Sequence, residues 1–389
     1  MKRALAWLAL LSGVVAIVFF GILPGIVADR MNAVTPAPDK PSPRALALHK
    51  TLTIADLHGD TLLWKRSLLD AHDGGHIDLV RLQAGNVALQ VFSSVTKTPK
   101  GQNYDSNSAD GDNITLLAIA QGQPVRTWNS LLERSLWHAE KLRRAEAASH
   151  GAIRIIQSQR DIVELLFDRD SSSQQPPIGA LLSIEGLQNL EGKRENLQKL
   201  YDAGFRMAGL AHFFDNAISG SMHGEKKGGL TPLGRQIVRD MEAKGMIVDI
   251  AHASHTAVAE ILAMAKRPVV SSHGGVQATC KVNRNLTDDE IRGVARTGGV
   301  IGIGYWDGAI CDVSPKAIAR AIIHVRDLVG IDHVGLGSDF DGAVTTGFDT
   351  SQLALVTQAL IDVGMTDAEI GKVMGGNVIR LLAQGLPPR

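Results

Sequence analysis

The sequence predicts a (β/α)8 barrel carried behind an N-terminal apolar helix. Three observations point there. Eight short apolar, β-branched runs recur along the chain, each followed by polar or glycine residues and then by a helical pattern. These eight units fill roughly 345 residues, a length that suits a barrel with insertions. No glycine-rich dinucleotide loop or phosphate loop follows the first run, which disfavours the competing doubly wound open sheet. Composition narrows the function classes. Lys plus Arg and Asp plus Glu both number 40, so zero formal net charge excludes a whole-chain attraction to nucleic acid or anionic lipid. With 44% apolar and 21% charged residues the chain is not disordered. Two cysteines are too few for a disulfide framework or a four-cysteine zinc site.

At the N-terminus, Lys2 and Arg3 precede an uncharged run from Ala4 to Ala28. As a helix these 25 residues reach roughly 37 Å, against a bilayer core of about 30 Å. The run is longer than a cleaved signal's apolar core, and Ile26 suits cleavage after Ala28 badly, so an uncleaved signal anchor is expected, with a cleaved signal as the alternative. The two leading positive charges favour a single-pass topology with the bulk of the chain exported. Residues 1–28 are therefore read as the anchor. Residues 29–44, with Pro36, Pro38, Pro41 and Pro43, are read as an extended linker, and 45–389 as one catalytic body.

Within the body the expected strands are Leu52–Leu57, Val87–Val95, Ile178–Ile184, Arg206–Ala211, Met246–Ala251, Pro268–Ser272, Val300–Tyr305 and His333–Gly337. Helices are expected over Leu131–Ala148, Pro232–Lys244, Thr256–Ala265, Asp288–Arg296 and Pro315–Val329. Thr231-Pro232 sets a cap before a first-turn proline, and Thr287 precedes the acids Asp288, Asp289 and Glu290. Thr96–Asn113 is polar, rich in Gly, Asn and Ser, and reads as a long loop.

The chemistry-bearing residues gather at strand ends. The first strand finishes in Asp56-Leu57-His58-Gly59-Asp60, so His58 and Asp60 project to one face. The third finishes in Glu185, the fourth in His212, the fifth in His252, the sixth in His273, and the eighth in Asp339-Phe340-Asp341-Gly342. Singly, each histidine reads as a hydrogen-bonded core residue, Glu185 as a salt bridge and Asp341 as a turn former before Gly342. Jointly they change meaning, because in a barrel all these ends meet on the active-site face. Three histidines, a glutamate and an aspartate suffice for two metals sharing a carboxylate, and nitrogen and oxygen donors favour zinc. Such a centre does hydrolytic chemistry.

The same stretches resemble the membrane (renal) dipeptidase family of zinc peptidases, within the amidohydrolase-like barrels. The resemblance covers about residues 45–385. It rests on Asp56–Leu62, Ser183–Gly186, the run from Gly228 to Ser254, Ser271–His273, Asn283–Asp288, Gly337–Gly342 and Gly375–Arg380. It implies two Zn2+ ions per chain. His58 and Asp60 would bind the first, His252 and His273 the second, and Glu185 would bridge them. A hydroxide held between the metals would attack the peptide carbonyl. His212 would contact substrate and the developing oxyanion, Arg284 would grip the substrate carboxylate, and Asp339 would bind the substrate amine and shuttle the proton. Arg284 otherwise reads as a loop arginine near a helix end. The resemblance further implies a Cys280–Cys311 disulfide, which suits an exported domain, and admits a homodimer. Gly59 departs from the larger residue many relatives carry between His58 and Asp60. The expected function is hydrolysis of dipeptides by a membrane-anchored, exported enzyme. The alternative is another amidohydrolase-type reaction on lactams or N-acyl amino acids; the Arg284 and Asp339 interactions would separate the readings, because a neutral substrate needs neither.

Overall fold

The computed structural model describes residues 2–36, 40–171 and 176–388. Among the described residues there are nine parallel strands: β1 (Ile54–Asp56), β2 (Val87–Val95), β3 (Ile153–Ile155), β4 (Ile178–Glu185), β5 (Phe205–Gly209), β6 (Ile247–Asp249), β7 (Val269–Ser271), β8 (Val300–Ile303) and β9 (Val334–Leu336). Eight of them, all but β3, form a closed ring. Closure comes from β2 pairing β4 along its full upper length, Leu89 against Gly179 through Val95 against Glu185. The closed ring confirms the (β/α)8 barrel and excludes the open doubly wound sheet. All eight barrel strands coincide with the eight expected runs. The strand not foreseen, β3, pairs Ile153–Ile155 with Ile178–Ala180 on the β4 edge whose upper part pairs with β5.

The helices follow from their caps. Pro232–Lys244 starts at Thr231, whose Oγ accepts from Gly234 N at 3.0 Å, and stops at Gly245 in the left-handed conformation (φ 70°). Asp288–Arg296 opens with a reciprocal capping box between Thr287 and Glu290. Leu131–Ala148 and Pro315–Val329 also run over the expected residues, capped by Ser130 and Ser314. The helix expected over Thr256–Ala265 begins one residue earlier and spans His255–Met264.

Side-chain parity separates inside from outside. Ala55, Leu89, Val91, Leu181, Met207, Ile247, Val270 and Val300 come from seven different barrel strands yet pack in one cluster with Val378, Leu381 and Leu382 of the C-terminal helix Asn377–Gly385. Only the barrel interior brings seven strands together. Ser183 and Glu185 share the parity of Leu181, Asp249 that of Ile247, and Ser272 that of Val270. The apolar interior therefore turns polar as the strands approach their C-terminal ends.

The N-terminal apolar helix is continuous over Lys2–Met31 and is long and apolar enough to cross a membrane. Between Ile17 and Ile22 it widens into a π-turn, with Leu23 N bonding Val18 O. Pro24 has no N–H to offer Phe20 O, and Lys65 Nζ donates to that carbonyl instead at 2.7 Å. Beyond the helix, Thr35 N donates to Thr346 O (2.8 Å) and Thr346 N to Ala33 O (3.0 Å). A short helix, Pro43–His49, opens at Ser42. Pro38, one of the expected linker prolines, lies outside the described residues.

Two features fix the loops above the barrel. The disulfide Cys280–Cys311 is present and joins the loop after β7 to the segment after β8. The second is a buried anion. Asp341 does sit in a left-handed turn (φ 65°), but it does more than form a turn. Its carboxylate accepts from Thr61 Oγ1 and from the backbone N–H of His76, both at 2.7 Å, and pairs with Arg66. Against the cost of burial, the His76 hydrogen bond and the Arg66 charge hold its carboxyl well below the usual range. A depressed carboxylate pKa stabilises the fold above the ordinary range near 3.9 and ceases to do so as pH falls through the lowered value.

Two stability outcomes follow. Asp341→Asn leaves the buried Arg66 charge unopposed and should cost about 3–5 kcal/mol in denaturant unfolding at neutral pH; a loss under about 1 kcal/mol would show that water already screens the pair. Cys280→Ser with Cys311→Ser should cost about 3 kcal/mol by the same measurement.

Candidate metal centre and substrate pocket

Each strand end delivers its residue by a defined local route. His58 and Asp60 follow β1, with Gly59 between them bridging to Phe340. The glycine has a packing reason: a Cβ at 59 would lie 2.6 Å from Ile77 Cδ1 and 3.3 Å from Phe340 O. Glu185 ends β4. His212, His252 and His273 lie two or three residues beyond β5, β6 and β7, and Asp339 three beyond β9. His252 and Asp339 adopt left-handed backbone (φ 63° and 60°), a conformation costly for residues with a Cβ and concentrated at functional sites.

Two buried aspartates hold these turns in place, and sequence reasoning missed both. The Asp56 carboxylate accepts from His58 N (3.0 Å), Ser338 N (3.0 Å) and Ser338 Oγ (3.0 Å), so it ties the β1 and β9 ends together. Asp249 Oδ1 accepts from Ala251 N (3.0 Å) and Ser272 N (2.9 Å), the residues just before His252 and His273. Their signal was present in the sequence as a carboxylate within a buried strand two or three places before a histidine.

The cluster converges on Glu185 Oε1. It lies 2.9 Å from His252 Nε2, 3.2 Å from His273 Nε2, 3.5 Å from His212 Nε2 and 3.7 Å from His58 Nε2. His58 Nε2 is also 3.6 Å from Asp60 Oδ1 and 3.8 Å from Asp339 Oδ1. Three overlapping triads have the spacing to hold a metal ion: His58, Glu185 and His273; Glu185, His212 and His252; and His58, Asp60 and Asp339. All seven expected cluster residues are thus brought together. Arg284 stands at the edge, its Nη1 donating to His273 O at 3.1 Å and its guanidinium lying 4.7 Å from the Trp306 ring centroid.

The electrostatics of the protein alone are strained. Burial raises Glu185 well above the carboxylate range, and Asp60 pushes it the same way. Asp339 is raised to about 7 by burial and by Asp60. Burial opposes a charge on His58, but Asp60, Glu185 and Asp339 outweigh it and push this imidazole up to about 10. Burial drops His252 and His273 well below their ordinary value, and holds His212 at about 3. His58 Nε2 and Asp60 Oδ1 are buried without a hydrogen-bond partner among the described residues, and His252 Nε2 faces His273 Nε2 at 3.0 Å. Two imidazole nitrogens aimed at each other and two orphaned donor atoms around a shared carboxylate are what divalent cations would satisfy. The donor set fits metal.

A cavity of about 510 Å3 opens over this cluster. Asp60, Glu185, His212, His252, Arg284 and Asp339 line it together with Tyr104, Trp306, Leu63, Trp64 and Ile114. The polar segment Thr96–Asn113 is irregular up to Asp112, after which a helix runs from Asn113 to Ala120. It reaches across the site, where Tyr104 Oη accepts from Trp306 Nε1 (3.1 Å) and Tyr104 O contacts His223 Nδ1 (2.8 Å). His223 is wholly buried, stacks on Phe213 with centroids 4.6 Å apart, and lies at a centroid distance of 5.3 Å from His252. It was not foreseen, since it falls in a glycine-rich loop and not at a strand end.

Known proteins match this architecture. The family model for membrane dipeptidase, peptidase family M19, matches residues 42–385. A curated relative, "Dipeptidase verJ" of Clonostachys rogersoniana, is 28% identical over 355 residues, covering 87% of this chain and 86% of its own. Among solved structures, the probable dipeptidase PvdM from Pseudomonas aeruginosa superposes with a TM-score of 0.72 at 21% identity, over 88% of this chain and 99% of that one. A metallopeptidase from Rhodobacter sphaeroides, solved with a phosphinate mimic of the dipeptide L-Ala-D-Ala, gives a TM-score of 0.70 at 20% identity, over 86% and 99%. At such identities the structural likeness speaks for the fold; the family match spans the barrel together with every member of the Glu185 cluster, and the chain therefore belongs to the membrane dipeptidase family of metallopeptidases, peptidase family M19.

Proposed function

We propose that this metallo-dipeptidase works as a membrane-anchored, exported enzyme with two zinc ions per chain. The observation that carries the reading is Glu185 Oε1 within 2.9–3.7 Å of four imidazole nitrogens from four different strand ends. His58 and Asp60 would hold one ion, His252 and His273 the other, with Glu185 shared. Bound there, the metals supply Lewis acidity toward the scissile carbonyl and a nucleophile at neutral pH. His252 and His273 are held neutral by burial, the state in which imidazole binds metal.

The chain's own side chains handle the substrate. A dipeptide carries a carboxylate and an ammonium at nearly fixed separation. Arg284 presents Nη2 without a hydrogen-bond partner among the described residues, at a site only 4% exposed, and Trp306 holds its plane. A guanidinium so placed grips a carboxylate in two-point fashion. Asp339 takes the ammonium end. As a carboxylate beside the cluster it can also take up the proton that the attacking water releases and pass it to the leaving nitrogen. His212, held at about 3, is a neutral imidazole at working pH and can donate one hydrogen bond to the oxyanion as the carbonyl becomes tetrahedral. Arg284 and Asp339 together measure the substrate, which favours dipeptides over longer peptides and over neutral lactams. Lys2–Met31 provides the anchor, with Lys2 and Arg3 keeping its start inside.

Chelation should abolish amino-acid release from dipeptides, and zinc should restore it. His252→Ala should lower kcat/KM by about a thousandfold or more while far-UV circular dichroism stays unchanged; normal turnover in the chelated enzyme would refute the metal assignment. Arg284→Lys keeps the charge but loses the fork, and should raise KM about tenfold or more with a smaller effect on kcat. Asp339→Asn should lower kcat by about 10²–10⁴. Should both variants hydrolyse dipeptides at wild-type rates, Arg284 and Asp339 do not read the substrate's charged ends; should the zinc-loaded wild type release no amino acid from dipeptides, the substrate class moves to lactams or N-acyl amino acids.

A further inference from the structure

The cavity over the cluster has a wall that the catalytic residues do not account for. Val27 and Met31, near the end of the N-terminal helix, line it together with Leu63, Trp64, Ile114 and Leu117. We propose that the last turns of the anchor helix complete the substrate pocket, and that this wall selects a large apolar side chain on the dipeptide. The inference rests on the dipeptidase reading and names the substrate class more closely.

The helix is fixed on both sides of these residues. Before them, Lys65 Nζ holds Phe20 O at the acceptor that Pro24 leaves free. After them, Asn32 is 1% exposed. Its Nδ2 donates to Ala28 O (2.8 Å), and its Oδ1 accepts from Ala343 N (2.9 Å) in the loop after β9 that also borders the cavity. Between these ties Ala28 is buried against Leu63, Trp64, Val95 and Ile114. Residues 27, 28, 31 and 32 fall on one face at helical spacing, so docking Ala28 and Asn32 necessarily presents Val27 and Met31 to the cavity. Leu23 and Ile26 do not line the cavity, and Val27 and Met31 do.

Chemistry then assigns the wall's ligand. The charged ends of a dipeptide are taken by Arg284 and Asp339 on the polar side. Val27, Met31, Leu63, Trp64, Ile114 and Leu117 give the cavity an apolar lining that the polar Thr98, Gln102 and Asn113 only border, and an apolar surface of that kind rewards an apolar substituent. The anchor can do this and still span a bilayer: the 22 residues from Lys2 to Leu23 reach roughly 33 Å, against a core of about 30 Å. The pocket mouth consequently lies at the membrane surface.

The test uses the full chain in detergent micelles, zinc-loaded, with Ala-Ala, Leu-Ala and Ala-Leu as substrates. Leucine at one of the two positions should raise kcat/KM about tenfold or more over Ala-Ala. In the double variant Val27→Ala with Met31→Ala that ratio should fall about fivefold or more, while Ile26→Ala, on the same helix but outside the cavity lining, keeps the wild-type ratio. A ratio equal in wild type and double variant overturns the proposal, as does an equal fall in Ile26→Ala, which would indicate general loosening of the helix. If the zinc-loaded wild type hydrolyses none of the three, the dipeptidase reading itself fails, and this inference with it.

Discussion

A single carboxylate buried at the top of the barrel governs the arrangement of everything around it. Glu185 shares the inward parity of Leu181 and Ser183, so the strand that closes the barrel also drives a charge into its axis. An unpaired charge at that depth is prohibitively costly. The fold answers by ending β5, β6, β7 and β1 in histidines whose Nε2 atoms all face the same oxygen. Imidazoles alone do not discharge the debt, because Asp60 and Asp339 bring further negative charge into the same volume. Without metal the strain is met by protons, with His58 held charged and Glu185 and Asp339 pushed toward their neutral forms; divalent cations would relieve it directly.

Holding such a cluster open requires a stiff support, and the support is also built from buried carboxylates. Asp56 and Asp249 each accept backbone N–H groups from two neighbouring strand ends, which converts four separate turns into two rigid pairs. Asp341 does the same for the outer layer, linking the β9 loop to Thr61, His76 and Arg66. The strained backbone at His252 and Asp339 is affordable because these bonds over-determine it. The disulfide extends the logic to the loop bearing Arg284. Precision at the site therefore comes from strands and their capping anions, while the variable segment carrying Tyr104 lies across the top.

Much of this was legible in the sequence, for physical reasons. A buried parallel strand must be a nearly continuous apolar run, and the eight runs were all found; helix limits at Thr231, Thr287 and Ser314 coincide with caps whose side chains bond the first turn. The ligand candidates were readable because a barrel brings every strand end to one face. β3 escaped notice because Ile153–Ile155 is three residues long with an arginine at its centre. His223 and Tyr104 escaped because loops carry no periodicity that says where a side chain points. Asp341 was read only as a turn former, since its partners Thr61, Arg66 and His76 lie more than 260 residues away.

The N-terminal helix shows where one-dimensional reading fails in kind. Hydropathy sees Ala4 to Ala28 as one uniform stretch, because lipid and a protein groove both accept apolar side chains. Only docking divides it: no described residue up to Leu23 is buried, whereas Pro24, Ala28 and Asn32 are buried. The division has a cause in the sequence, since Pro24 breaks the hydrogen-bond ladder and hands Phe20 O to Lys65. The Lys65 ammonium at that carbonyl marks the point from which the helix is held by the rest of the chain. The end of the helix then borders the same cavity as Arg284 and Asp339. In this geometry the end of the apolar helix forms part of the wall of the cavity that leads to Glu185 and its ring of histidines.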